Sequence, residues 1–292
     1  MNKYTFMTDV ACDLNASQYE EYGIVCVPIG FTFGDKEYEH YADEREMDNS
    51  TFYARLEAGE TVKTAQVKLS IYREMFENEL KKGQDVIYLS LSSGLSGTYS
   101  TACLVAEDLR EEYPERRIEV VDTKCASIGQ GLLVITVGQA YRDGIDMDGL
   151  LARIRETAVR CCHWFSVDNL MYLKRGGRLS TVEAFVGSVL SVNPILSMDE
   201  EGKLKVVSKE RGTRNAIAYL LRRLREDADK PEEQTILIAH ADAPQKAELL
   251  KKLIEDNGLA KEVVVCKIGP VIGAHVGNGM CALTFLGNNY RF

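Results

Sequence analysis

The polar chemistry of this 292-residue chain is concentrated in one stretch, Ser90 to Thr101, reading SLSSGLSGTYST. The hydroxyls of Ser92, Ser93, Ser96 and Thr98 crowd together there, with Gly94 and Gly97 between them. An apolar run, Asp85 to Leu91, leads in, and a helical pattern from Tyr99 to Glu112 leads out. A strand, a tight loop and a helix in that order leave backbone N–H groups of the first helical turn without intrahelical partners. Such groups, with hydroxyls around them, suit an anion or a carbonyl oxygen. The same residue types also serve an ordinary turn followed by an N-cap.

Two chemistries are open to Ser96. It can be a nucleophile: Gly94-Leu95-Ser96-Gly97-Thr98 approaches the G-x-S-x-G elbow, although the second glycine comes one residue early. His275 would then be the base and Asp9, Asp13 or Asp122 the orienting acid of an acyl hydrolase. Alternatively, Ser96 donates a hydrogen bond to a carboxylate, with Thr64 of the extended piece VKTAQV as a second donor. His275 lies between Gly273 and Gly277 in the glycine-rich run Ile268–Gly279, which reads as a loop able to approach a ligand closely. Arg175, Gly176, Gly177 and Arg178 make a basic, glycine-broken corner that fits either a phosphate or a solvated turn.

Other chemistries have no support. There is no Walker loop, no G-x-G-x-x-G after a strand and no kinase motif set, so no nucleotide site is expected. The eight cysteines contain no C-x-x-C pair, and neither they nor the four histidines have zinc spacing. No metal is expected, and the cysteines read as small buried thiols of a reducing compartment. A net charge of −9 disfavours nucleic acid or an anionic membrane as the main partner. No apolar run approaches the ~20 residues of a membrane span, and the N-terminus lacks the apolar core of a signal peptide. The expected location is the cytoplasm.

The elements that must position these residues alternate. Tyr4–Thr8, Ile24–Phe33, Asp85–Leu91 and Arg117–Val121 read as strands. Helices are expected from Asn15 to Gly23, Asp48 to Gly59, Ser70 to Gly83, Ile128 to Arg142 and Met147 to Arg160. Gly34-Asp35 suggests a hairpin turn into Glu37–Tyr41. The pattern implies an α/β fold whose N-terminal sheet is mostly parallel and Rossmann-like. Ligands in such sheets bind at the carboxyl ends of strands, where Asp9, the serine loop and Asp122 fall. A second α/β unit begins near Cys161, so the expected domains are residues 1–160 and a smaller 161–292. It contains an apolar helical stretch over Val182–Val192, a hairpin of Ile195–Met198 with Leu204–Val207, and a β-α-β repeat from Thr235 to Cys266.

Six segments in this order resemble the DegV family of bacterial fatty-acid-binding proteins: MTDVACDL from Met7, TAQ from Thr64, SSGLSGTY from Ser92, DTKCASIGQGLLV from Asp122, LKRGGRLS from Leu173 and IGPVIGAHVGNG from Ile268. The resemblance implies two α/β domains with a long-chain fatty acid, such as palmitate or oleate, between them. Its carboxylate would be held by Thr64 and Ser96, with Ser93, Gly97 and His275 as further head-group contacts. The chain would then be a carrier without catalytic residues or cofactor, handing its fatty acid to a separate fatty acid kinase. Arg175 and Arg178 would face that partner or the acyl phosphate. The chain departs from the family at Val10, Ala65, Val67, Cys125 and Ala274, mostly losing hydroxyls. Thr64 and Ser96 remain in place.

Overall fold

A computed structural model describes residues 3–179 and 192–288. The chain opens with β1 (Tyr4–Asp9), α1 (Ala16–Tyr22), β2 (Val25–Val27), β3 (Ile29–Phe33), β4 (Lys36–His40), α2 (Asn49–Glu57), β5 (Val62–Thr64) and α3 (Leu69–Lys81). It continues with β6 (Asp85–Ser90), α4 (Thr98–Glu112), β7 (Ile118–Asp122), α5 (Ile128–Arg142) and α6 (Met147–Ala158). Then follow β8 (Cys161–Ser166), α7 (Met171–Arg175), β9 (Val192–Met198), β10 (Leu204–Arg211) and α8 (Gly212–Asp227). The last elements are β11 (Thr235–His240), α9 (Pro244–Asp256), β12 (Glu262–Lys267), α10 (Pro270–Val276) and β13 (Cys281–Leu286).

Three sheets result. One is four-stranded, in the order β2-β1-β6-β7, and wholly parallel. Its strands sort their side chains by alternation. Phe6, Ile87 and Leu89 join one cluster with Leu132 and Leu133 of α5, while Met7, Val86 and Tyr88 join another with Phe76 of α3 and Val105 of α4. A six-stranded sheet, β10-β9-β8-β13-β11-β12, is antiparallel except for the β11–β12 pair. Its outer face is covered by α8 and α9 through Ile217, Leu220 and Leu250. Helix α5 lies between the two sheets and packs on β8, β11 and β13 of the second. Ten of its residues are buried, as expected of a helix with apolar neighbours on nearly every side.

The third sheet, β4-β3-β5, is antiparallel. The single strand expected over Ile24–Phe33 is two strands here. Pro28 interrupts it, and the chain passes from the parallel sheet to the antiparallel one at that residue. Two further expectations are corrected. Helix α3 starts at Leu69 after Lys68 rather than behind a Ser70 cap, and Lys68 makes no side-chain cap. The run Ile268–Gly279, read as a loop, contains α10, with Gly269 at its N-cap and Pro270 in its first turn. The stretch Val182–Val192 read as helical lies outside the described residues, except for Val192, which opens β9.

Candidate functional site

The serine loop does follow a parallel strand and open a helix, and its hydroxyls are divided among different tasks. Ser92 Oγ donates to the Gly202 carbonyl at 2.8 Å, tying the loop to the turn between β9 and β10. Ser93 Oγ donates to Asp122 Oδ2 at 2.5 Å and its N–H to Oδ1 at 3.1 Å. Those bonds, together with the Lys124 backbone and ammonium, hold the Asp122 carboxyl below its usual range against the opposing effect of burial. Ser96 Oγ accepts from the Thr98 N–H at 3.2 Å and lies 2.8 Å from Thr98 Oγ1. The Ser96 hydroxyl therefore sits over the positive end of the 15-residue helix α4.

Ser96 lines an apolar cavity between the two larger sheets. Leu91, Leu95 and Ile128 face it from one side, and Phe165, Met198, Leu204, Met280 and Ala282 from the other. Val271, Ile272 and Val276 of α10 complete the wall. The room for the centres of water-sized spheres is about 80 Å³. In a slot only as wide as a methylene chain such centres are confined to the axis, so a small figure goes with a narrow tube.

The polar groups gather at one end. Thr64 Oγ1 lies 2.9 Å from His275 Nε2. Arg178 reaches the same place, donating from Nε to the Leu95 carbonyl at 3.0 Å and from Nη1 to the Gly176 carbonyl. Thr64, Arg178 and His275 also line a wider outer groove of about 690 Å³, shared with Lys63, Tyr172 and Arg175. The tube thus meets the exterior at its polar, basic end. Burial, and then the Arg178 charge, press His275 down to about 4, so the imidazole is neutral at pH 7. Its Nδ1 is buried without a hydrogen-bond partner. A Cβ on Gly176 would fall 2.1 Å from that nitrogen, so the glycine makes room for the ring.

The structure brings together Thr64, Ser96, Arg178 and His275. Ser93, turned to Asp122, and Gly97 do not line the cavity, and Arg175 faces only the outer groove. No acid orients His275. Asp9 accepts from Tyr88, Leu91 and Ala11, and Asp13 accepts from Ser127 Oγ at 2.6 Å and the Gly269 N–H at 2.9 Å. Ser96 is bonded to Thr98 and His275 to Thr64, so the nucleophile, base and acid of a triad are not connected. Among the described residues no group of three His, Cys, Asp or Glu could hold a metal, and no helix is long and apolar enough to cross a membrane.

Sequence reasoning missed the inward reach of Arg178 and the part played by α10 and the β9–β10 hairpin. Pro270 behind a glycine was a helix-start signal for α10. The period-two pattern Met280, Ala282, Thr284 marked one face of β13, but not what that face would meet.

Relatives share this architecture along their whole length. The family profile described as "Uncharacterised protein, DegV family" matches residues 3–288. A DegV domain-containing protein of Clostridium perfringens is 37% identical over 288 residues, covering 99% of both chains. The structure of a DegV family protein from Thermus thermophilus, described for its fatty acid binding, superposes with a TM-score of 0.88 at 25% identity, covering 98% of this chain and 100% of that one. A fatty acid binding DegV family protein of Streptococcus agalactiae gives 0.84 at 28% identity, covering 99% and 100%. With the motif order, the two-sheet architecture and a full-length match in agreement, this chain belongs to the DegV family.

Proposed function

We propose that the protein binds one long-chain fatty acid in the apolar tube, with its carboxylate at Thr64 and Ser96, and presents that end to a partner. The observation that carries this reading is the polarity of the tube: apolar along its length, with hydroxyls, an imidazole and a guanidinium where it reaches the surface. About 14 methylenes at ~0.8 kcal/mol each supply roughly 11 kcal/mol, before the cost of ordering the chain. The hydroxyls and Arg178 fix which end stays at the mouth. Fatty acid binding described for the Thermus thermophilus and Streptococcus agalactiae relatives supports the same reading.

The groove carrying Lys63 and Arg175 suits a partner that acts on the carboxyl group, and the reading takes that partner to be a fatty acid kinase forming an acyl phosphate. The chain itself is then a carrier. Its test is mass spectrometry of an organic extract of the purified protein beside native mass spectrometry of the intact chain. One fatty acid per chain is expected. Protein that arrives empty and takes up neither palmitate nor oleate sinks the reading.

A further inference from the structure

We propose that His163, seated over Gly129, closes the inner end of the tube and sets the length of acyl chain it accepts; this rests on the fatty-acid reading above. Strand register orders the lining. His275 is followed within five residues by Met280, and the side chains of Met280, Ala282 and Thr284 then step along one face of β13. Ala282 pairs with Phe165 and Thr284 with His163 on β8. Met280 is thus nearest the polar mouth, and the His163–Thr284 pair is farthest from it.

Both members of that pair reach across to α5. A Cβ on Gly129 would lie 1.7 Å from His163 Nε2, so the ring edge rests directly on the glycine backbone. Thr284 Oγ1 donates to the Ile128 carbonyl at 3.2 Å. His163 Nδ1 lies 3.1 Å from the Cys161 carbonyl, which can only accept, so that nitrogen carries the proton and the ring is held in place. Two neighbouring side chains therefore bridge sheet and helix and form an end wall. The next residue inward on that face of β8, about 6.6 Å farther at the usual strand rise, is Cys161. It is fully buried and belongs to the same packed cluster as Leu132 and Leu133.

His163→Ala removes the ring and leaves a void of about two methylenes. Gly129→Ala inserts a methyl where the ring now sits and drives the imidazole off its seat, shortening the tube. The experiment offers delipidated protein an equimolar mixture of saturated fatty acids from 12 to 20 carbons and measures the bound ratio by native mass spectrometry. The expected result is a shift of the preferred chain by about two carbons upward in His163→Ala and a shift downward in Gly129→Ala. Each ratio should change about tenfold, since a fitted apolar pocket discriminates one methylene by about that factor. A bound profile unchanged from wild type in whichever variant folds overturns the proposal. Wild-type protein that binds none of the mixture instead removes the fatty-acid reading itself.

Discussion

Thr64 gives the most direct residue-level test of the mouth. Thr64→Val keeps the shape and removes the hydroxyl that lies 2.9 Å from His275 Nε2. Loss of a hydrogen bond to a charged carboxylate predicts affinity lower by about tenfold or more, measured by calorimetric titration with oleate, while Thr64→Ser stays near wild type. A second residue controls pH dependence. Burial raises Asp13 to about 7, despite its bonds from Ser127 and Gly269. The folded state therefore holds a proton there that the unfolded state releases near 3.8. The stabilisation is complete below the unfolded value and is lost as pH rises toward 7. Asp9, raised to about 6, acts in the same direction. His40 and His275, lowered to about 3 and about 4, act oppositely, losing stability as pH falls below 6.5. The variant Asp13→Asn isolates one component: its stability relative to wild type should rise between pH 4 and 7 and level off above. Urea denaturation at a series of pH values reads this, and a difference that does not vary with pH would refute it.

At the scale of elements, glycines of the KRGGR corner act through what they leave open. Gly176, in the turn after α7, provides the space that the His275 ring of α10 occupies. Gly176→Ala is expected to displace the ring, break its contact with Thr64 and weaken fatty acid binding to about the extent of Thr64→Val, with little loss of thermal stability. Wild-type affinity in that variant would show that the ring's placement is immaterial. The sequence reading found elements where local chemistry is strong: Asn15 caps α1 in a capping box with Gln18, and the β9–β10 hairpin appears as expected. It found Thr64, Ser96 and His275 as candidates because hydroxyls and glycines cluster there. The inward turn of Arg178 was not legible, since it depends on the Leu95 and Gly176 carbonyls, one of them on an element 83 residues away in sequence. Nor was the change of sheet at Pro28, because a strand pattern carries no record of its partners.

Across the whole molecule, the core does not follow the expected division at residue 160. Helix α5 precedes it, yet one apolar cluster joins Leu132 and Val134 of α5 to Phe165, Leu196 and Leu237 beyond it. The tube is enclosed by that arrangement and by the turn between β9 and β10. Gly202 in the turn has φ 73° and approaches so closely that a Cβ would meet Ser92 Oγ at 2.1 Å. Lys124 Nζ adds a bond to the Glu201 carbonyl at 3.3 Å. These ties fasten the hairpin whose flanks, Met198 and Leu204, roof the tube. They touch no part of the proposed ligand, so they contribute equally to the empty and loaded closed forms. Weakening them lowers the barrier to opening without altering the balance between the two forms. Ser92→Ala should therefore speed both uptake and release about fivefold, for the ~1 kcal/mol of one hydrogen bond, with the dissociation constant within a factor of two. Stopped-flow transfer of a fluorescent fatty acid to acceptor vesicles measures it, and an unchanged release rate would place the exit elsewhere. How tightly the cargo is held and how quickly it changes hands are thus set by different residues, and each can be adjusted without the other.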